Sequence, residues 1–364
     1  MGKPKKTKAD AALIQSSLSG ETKAVLAMLD KQFDVTACDA QGNHPLGAAA
    51  CGGHLELVKA LCETHDAPLE LTNDIGTTPL WLAAGYGHVA VLEYLLGRGS
   101  DANAPNSTKD SPLVAAASKG HTACVARLVA AGARHITLNS AGDSPLSLAV
   151  AAGNLEMVQV LLPLPGAAAL LRRKNAKGVH PLALAAAAGH AAVLEALVAA
   201  GGKGALAERD ANGATPLALT AFCGHADAMR ALLALDGIDV ECVDHSGATP
   251  LWLAASAGHA PCLQLLLDAG ARAGVACAGS STLDAATKNK HAACRDLLSA
   301  LPPERLAPVA PAAEEADAQQ RSEEEDAVAV FTRVGLRGDD DAGADEDGRA
   351  GDGDLLEGVA PEDH

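Results

Sequence analysis

Apolar positions along this chain recur in a two-beat pattern. A Pro-Leu pair opens a run of small apolar residues, a Gly-His pair interrupts it, and apolar residues then return at helical spacing. Residues 73–105, NDIGTTPLWLAAGYGHVAVLEYLLGRGSDANAP, show the pattern in full. Asn73 to Gly76 has turn chemistry, with Gly76 able to take positive φ. Thr78 stands as an N-cap, and Pro79 takes the first helical position, where its missing N–H costs nothing. Leu80, Leu82, Ala83 and Ala84 then form a short helix that Gly87 stops. Val89, Val91, Leu92, Leu95 and Leu96 mark the buried face of a second helix, ended by Gly99. Neither helix is long enough to be stable alone, so each must bury its apolar face against a neighbour. The predicted unit is hairpin tip, short helix, longer helix.

The unit repeats in phase. Pro45 precedes His54, Pro79 precedes His88, Pro112 precedes His121, Pro181 precedes His190, Pro216 precedes His225 and Pro250 precedes His259, always at the same distance. Pro145 with Asn154, and Thr282 with His291, keep the frame with one substitution each. Successive positions lie 34, 33, 33, 36, 35, 34 and 32 residues apart. For 364 residues two or three domains would ordinarily be expected. A period of this length instead predicts one elongated array in which each unit touches only its neighbours. Gly42, Gly142, Gly178, Gly213, Gly247 and Gly279 hold the turn position, with Lys109 as the exception.

From Gly42 to Leu298 these motifs (turn, G-x-T-P-L-H-x-A, G-H, then L-L-x-x-G-A) resemble those of the ankyrin-repeat family. A degenerate first unit starts near Ala9, with Ala12 and Glu21 in the Pro and His positions. The resemblance implies an all-α solenoid of stacked helix-turn-helix units with short β-hairpin tips. Its expected boundaries are a basic disordered arm at 1–8 and an array at 9–301. The nine units lie near 9–38, 39–72, 73–105, 106–138, 139–174, 175–209, 210–243, 244–275 and 276–301. An acidic disordered tail follows at 302–364. One departure stands out. The fourth place of T-P-L-H holds Gly47, Trp81, Val114, Ser147, Ala183, Ala218, Trp252 and Asp284, never His. In the family that His braces the turn, so local rigidity is placed in doubt. Pro163 and Pro165 stretch the connection after Leu162, which reads as an enlarged loop.

Catalytic chemistry finds little to rest on. Gly85 and Gly87, and Gly97 and Gly99, fit a loose G-x-G-x-x-A pattern. They coincide with the repeat's own helix stops, whereas a dinucleotide site needs a strand before it and a βαβ setting. The histidines of the Gly-His pairs recur, while a catalytic His is expected once beside a specific partner. They read as structural groups at the start of the second helix. Nine scattered cysteines read as small apolar residues in a reducing compartment, not as disulfides or zinc ligands. No cofactor or metal is expected, and the chain reads as a non-enzyme.

Recognition should then lie on the surface. The resemblance implies protein partners bound on a concave side made by the tips and first helices. The template projects Gln41, Asn43, Asp74, Ile75, Thr77, Thr108, Asp110, Asp143, Lys177, Asn212 and His245 onto the tips, and Lys119 onto a helix position. Tyr86 and Phe222 are the expected anchors in a chain with only seven aromatics, because large aromatics dominate interface energy. Trp81 and Trp252 read as packing residues. Asn103, in Leu95-Leu96…Asp101-Ala102-Asn103, occupies a place that asparagine hydroxylases modify in some family members.

Net charge is −17. From Ala313 onward 18 acidic residues face 4 basic ones, so about −3 remains for the rest. The array lacks the clustered Lys and Arg of a nucleic-acid surface, and no stretch is long enough for a membrane span. Within the tail, residues 327–336 (AVAVFTRVGL) form an apolar island, read as a linker patch or a docking peptide. Lys5-Lys6-Thr7-Lys8 resembles a minimal nuclear import signal. The sequence reads as a monomeric cytoplasmic scaffold or adapter. Its alternatives are a substrate-recruiting or inhibitory subunit of a ubiquitin ligase or kinase complex, and a nuclear co-regulator.

Overall fold

The structure is a computed structural model that describes residues 8–31, 33–201, 204, 206–277 and 279–306. Its helices come in pairs: α1 (Lys8–Leu18) and α2 (Thr22–Asp30), α3 (Pro45–Cys51) and α4 (Leu55–Thr64), α5 (Pro79–Gly85) and α6 (Val89–Gly97). The pairs continue with α7 (Pro112–Ser118) and α8 (Thr122–Ala130), then α9 (Pro145–Ala151) and α10 (Leu155–Leu161). After a short α11 (Ala167–Leu170) come α12 (Pro181–Ala187) and α13 (Ala191–Ala199), and α14 (Pro216–Cys223) and α15 (Ala226–Leu233). The last are α16 (Pro250–Ala257) and α17 (Ala260–Asp268), α18 (Thr282–Lys288) and α19 (Ala292–Ser299), and a final turn α20 (Pro303–Leu306). First helices stack on first helices and second helices on second helices, giving a two-layer solenoid.

Most first helices start where the sequence provides a cap, α3 being one that does not, since His44 makes no cap bond. Thr78, Ser111, Thr215 and Thr249 accept a hydrogen bond from the backbone N–H three residues on, and Ser144 and Ser281 close full capping boxes. α1 has no proline to fix its start and runs 11 residues, against seven or eight for the other first helices. The small alanines at positions such as Ala49, Ala83, Ala116 and Ala186 are fully buried, which lets neighbouring backbones approach closely.

The repeated histidines join the units. The ring Nε2–H of His54 donates to Leu18 O (2.7 Å), of His88 to Cys51 O (2.6 Å), of His121 to Gly85 O (3.1 Å) and of His225 to Ala187 O (2.9 Å). His190 reaches Ala151 O and His291 reaches Ser256 O in the same way, and His259 meets the Phe222 backbone. Each of these histidines stands at the N-cap place of its own second helix without capping it, and its imidazole satisfies an end carbonyl of the preceding unit's first helix. The ring lies on the preceding unit's glycine: a Cβ on Gly53 would sit 2.5 Å from the His88 ring, and one on Gly87 2.7 Å from His121. These glycines also hold φ near +75°. Asn154 has no ring, and a Cβ on Gly120 opposite it would meet nothing within 4 Å. Asn154 keeps a long contact to Gly120 O (3.4 Å) and caps α10 through Met157 N.

Four sequence expectations need correction. Lys8 belongs to α1 and not to the arm, because the helix begins before the first unit's apolar face. At the other end α20 adds a turn beyond 301, and Arg305 Nη2 donates to Leu267 O (3.2 Å). The stretch after Leu162 is more than a loop. It folds as α11, which buries Ala167, Leu170 and Leu171 against the array. The tips are not β-hairpins among the described residues except at one place, where Ala276–Cys277 pairs antiparallel with Ser280–Ser281. The reason is given with the tips below. The arm up to Thr7, the tail from residue 307, and the 327–336 island lie outside the described residues.

Two expected outcomes follow. Gly120→Ala should cost about 1–2 kcal/mol, from positive φ alone. Gly87→Ala should cost about 1–3 kcal/mol more, because the new methyl must also displace the His121 ring. Urea unfolding of the two variants compares them, and equal losses would refute the ring contact. The second concerns His180, which caps α12 by accepting from Ala183 N through Nδ1 and is fully buried. Its Nε2 faces the Glu208 backbone at too poor a geometry for a full hydrogen bond. Burial lowers its pKa, outweighing the opposing pull of Glu208. The unfolded chain therefore takes up this proton first, near pH 6.5, so stability is lost as pH falls from there towards the lowered folded value. His180→Thr keeps the cap and removes the proton site. Denaturation midpoints at pH 7.5 and 5.5 should differ less for the variant than for the parent; an equal drop in both would exclude His180 as the source.

Candidate functional site

The tips owe their shape to an Asp or Asn three residues before the turn glycine. Asp39, Asn73, Asn106, Asn175, Asp210 and Asp244 each accept, through Oδ1, the backbone N–H groups two and four residues on. Asn139 accepts the second of these, from Asp143 N. The backbone N–H of each of the seven also bonds the carbonyl four residues on, as from Asn73 to Thr77 (3.3 Å) and from Asp244 to Ala248 (3.1 Å). A side chain thus does the work of a second strand. In the last unit Ala276 holds this place, and there the two-residue strand pair forms instead. Lys109, in the glycine position, takes φ of 67°.

Neighbouring tips bond to one another. Asp74 N donates to Gln41 O, Ser107 N to Ile75 O, Ala176 N to Ala141 O and His245 N to Asn212 O, all at 2.9–3.0 Å. Side chains extend this ladder: Asn73 Nδ2 donates to Asn43 Oδ1 and Asn175 Nδ2 to Asp143 Oδ1, each at 3.1 Å. Two indoles reinforce it from the first helices, Trp81 Nε1 donating to Asp110 O (3.0 Å) and Trp252 Nε1 to Ser280 O (3.2 Å). The absent T-P-L-H histidine therefore leaves no loose tips. His44 supplies a related brace from one place earlier, its Nδ1 facing the carbonyls of Thr36 and Ala37.

This geometry sorts the projected contact residues. The first and second places after the Asp or Asn point outward, so Asp74, Ile75, Gln41, Thr108, Lys177 and His245 are exposed, and Asn212 is half-buried. The fourth place turns inward between tips. Asn43 and Thr77 are buried there, which removes them from the expected contact surface, and Asp110 and Asp143 are half-buried. Lys119, the C-cap of α7, is exposed. Tyr86, the C-cap of α5, is 43% exposed, with its hydroxyl against the Cys51 thiol. Phe222 is half-buried and packs against the core, so it is a weaker anchor than Tyr86. Asn103 lies near the base of a tip, half-buried, its Oδ1 accepting from Arg134 N (2.8 Å).

The sequence reading missed the Asp/Asn brace, though its fixed distance from the turn glycine could have shown it. It also missed Ile136, which is exposed in a connection, one period after Asn103.

Chemically the face offers recognition. All nine cysteines are free. Burial pushes the thiols of Cys51, Cys124, Cys223, Cys262 and Cys277 up to about 11, so they behave as apolar filler. Among the described residues no three His, Cys, Asp or Glu side chains gather as a metal site, and no helix is long and apolar enough to cross a membrane.

Comparison with known proteins agrees with this architecture. A family model described as ankyrin repeats (3 copies) matches residues 13–106, 98–173, 164–244 and 235–303. Alpha-latrocrustotoxin-Lt1a of Latrodectus tredecimguttatus is 32% identical over 91 residues, 25% of this chain and 6% of that protein. So small a share of the relative carries over the repeat alone. With matched stretches running from residue 13 to 303, the chain belongs to the ankyrin-repeat family.

Proposed function

We propose that the chain is a scaffold or adapter that holds a partner protein against its tips and the ends of its first helices, centred on the third unit. Ankyrin repeats are in general protein–protein interaction modules and are typically not catalytic. One observation selects the place. Three large apolar side chains are exposed among the described residues, and two of them, Ile75 and Tyr86, belong to the tip and first helix of one unit. A partly exposed Trp81 lies on the helix between them. Asp74 stands beside Ile75 at the same tip, adding a charge to an apolar anchor. Aromatic and aliphatic anchors of this kind carry most of the energy of an interface.

The tip backbone is already paired within the ladder, so a partner meets side chains and not open hydrogen-bonding groups. The reading as a recruiting subunit of a larger enzyme complex would need a second docking element, for which the sequence offers residues 327–336. The present geometry favours the simpler adapter.

Affinity capture with the full chain tests the reading. Ile75→Ala/Tyr86→Ala should weaken a captured partner by about 2 kcal/mol or more, roughly 30-fold in Kd. Ile136→Ala, on a different surface, should leave it unchanged. Equal recovery by the parent and the Ile75/Tyr86 variant would reject this face.

A further inference from the structure

We infer that the surface built around the insert between the fifth and sixth units is a docking site for the chain's own acidic segment, residues 323–331 (EEEDAVAVF). The insert is where the repeat frame is longest, at 36 residues between Pro145 and Pro181. It delivers Arg172 and Arg173, both exposed and without an ion pair among the described residues, directly into the tip that carries exposed Lys177. Lys174 between them is already engaged, its Nζ donating to Arg209 O (2.7 Å) and lying 3.9 Å from Glu208. At the other end of the insert His135 Nε2 donates to Pro165 O (2.8 Å). There Ile136 is 56% exposed, and its Cγ2 lies 3.6 Å from where a Cβ on Gly166 would stand. The insert therefore presents unneutralised cations at one end and an uncovered aliphatic side chain at the other.

The occupant has the matching order of chemistry. Four consecutive carboxylates are followed by Ala-Val-Ala-Val-Phe, in a region where 18 acidic residues face 4 basic ones. The described chain ends at Leu306, on the last unit. Three unit steps of about 10 Å each separate that end from the sixth unit. The 17 residues from Leu306 to Glu323 span about 23 Å as a random coil and up to about 60 Å when extended. The segment can reach. Single exposed ion pairs are weak, but tethering raises the effective concentration of the segment to the millimolar range, so weak pairs suffice.

Hydrogen exchange of the whole chain, followed by mass spectrometry over residues 134–137 and 166–178, tests the contact. Two full-length variants are compared with the parent: Glu323→Gln/Glu324→Gln/Glu325→Gln/Asp326→Asn, and Arg172→Gln/Arg173→Gln/Lys177→Gln. All the altered array residues are exposed, so the fold should survive, as unchanged exchange in α5 and α6 would verify. At low salt each variant should exchange about threefold or more faster in this region, with no further gain when the two are combined. About 0.5 M salt should bring the parent to the same rate. The parent's protection should not change on dilution. Equal exchange in the parent and the tail variant would overturn the proposal. So would protection that falls on dilution, which assigns the segment to a second copy, or protection lost only in the array variant, which assigns the surface to another contact.

Discussion

The imidazole that most units lay against the glycine of the preceding unit joins the array from unit to unit. One side chain does two tasks at once, closing the end of a neighbour's first helix and covering that neighbour's glycine. First helices of seven or eight residues cannot persist alone, and their last carbonyls would otherwise lack partners. A net gain of about 1 kcal/mol per such bond is modest. Its importance is that it falls between units, where the stability of a solenoid is decided. The glycine is fixed by the same contact, since both its positive φ and the space above it are used.

The tip ladder adds a second seam along the other end of the first helices. There the repeated element is an Asp or Asn carbonyl oxygen that gathers two backbone N–H groups. Because these bonds consume the tip backbone, neighbouring units can pair without true strands. The consequence for function is direct. The first two places after the Asp or Asn vary from tip to tip and face outward, so specificity can change there without disturbing the stack. Ile75 and Asp74 at one tip, and His245 and Ser246 at another, sit on the same backbone.

Much of this was legible in the sequence, and the reasons differ by element. Pro-Leu and Gly-His recur because the helix start and the inter-unit contact recur, so the period exposed the helices and their stacking. The tips were harder. The projection took every residue around the turn glycine as outward, yet the fourth place after the Asp or Asn faces the neighbouring tip. Asn43 shows why: its Nδ2 donates to Asp39 Oδ2 within the tip, and its Oδ1 accepts from Asn73, a contact invisible in a single unit. Trp81 and Trp252 read as packing residues, but not as donors to the next tip, since that partner lies 28 or 29 residues away. α11 was hidden by its prolines, which signal a loop. Ala167, Leu170 and Leu171 after them bury because the adjoining units offer an apolar surface.

The fifth-to-sixth junction is where these constraints relax together. The preceding unit has Asn154 where seven others have His, His180 replaces the usual Thr or Ser cap, and the insert lengthens the frame. Each change is compensated locally: Asn154 caps α10, His180 caps α12, and α11 contributes Leu170 and Leu171 to the core. Compensation of this kind leaves the added residues free of the packing duties that fix composition elsewhere in the array. Arg172 and Arg173, which follow α11, are exposed there. A repeat protein can acquire a second surface most easily at a junction of this type, because an insertion there disturbs only one interface between neighbours.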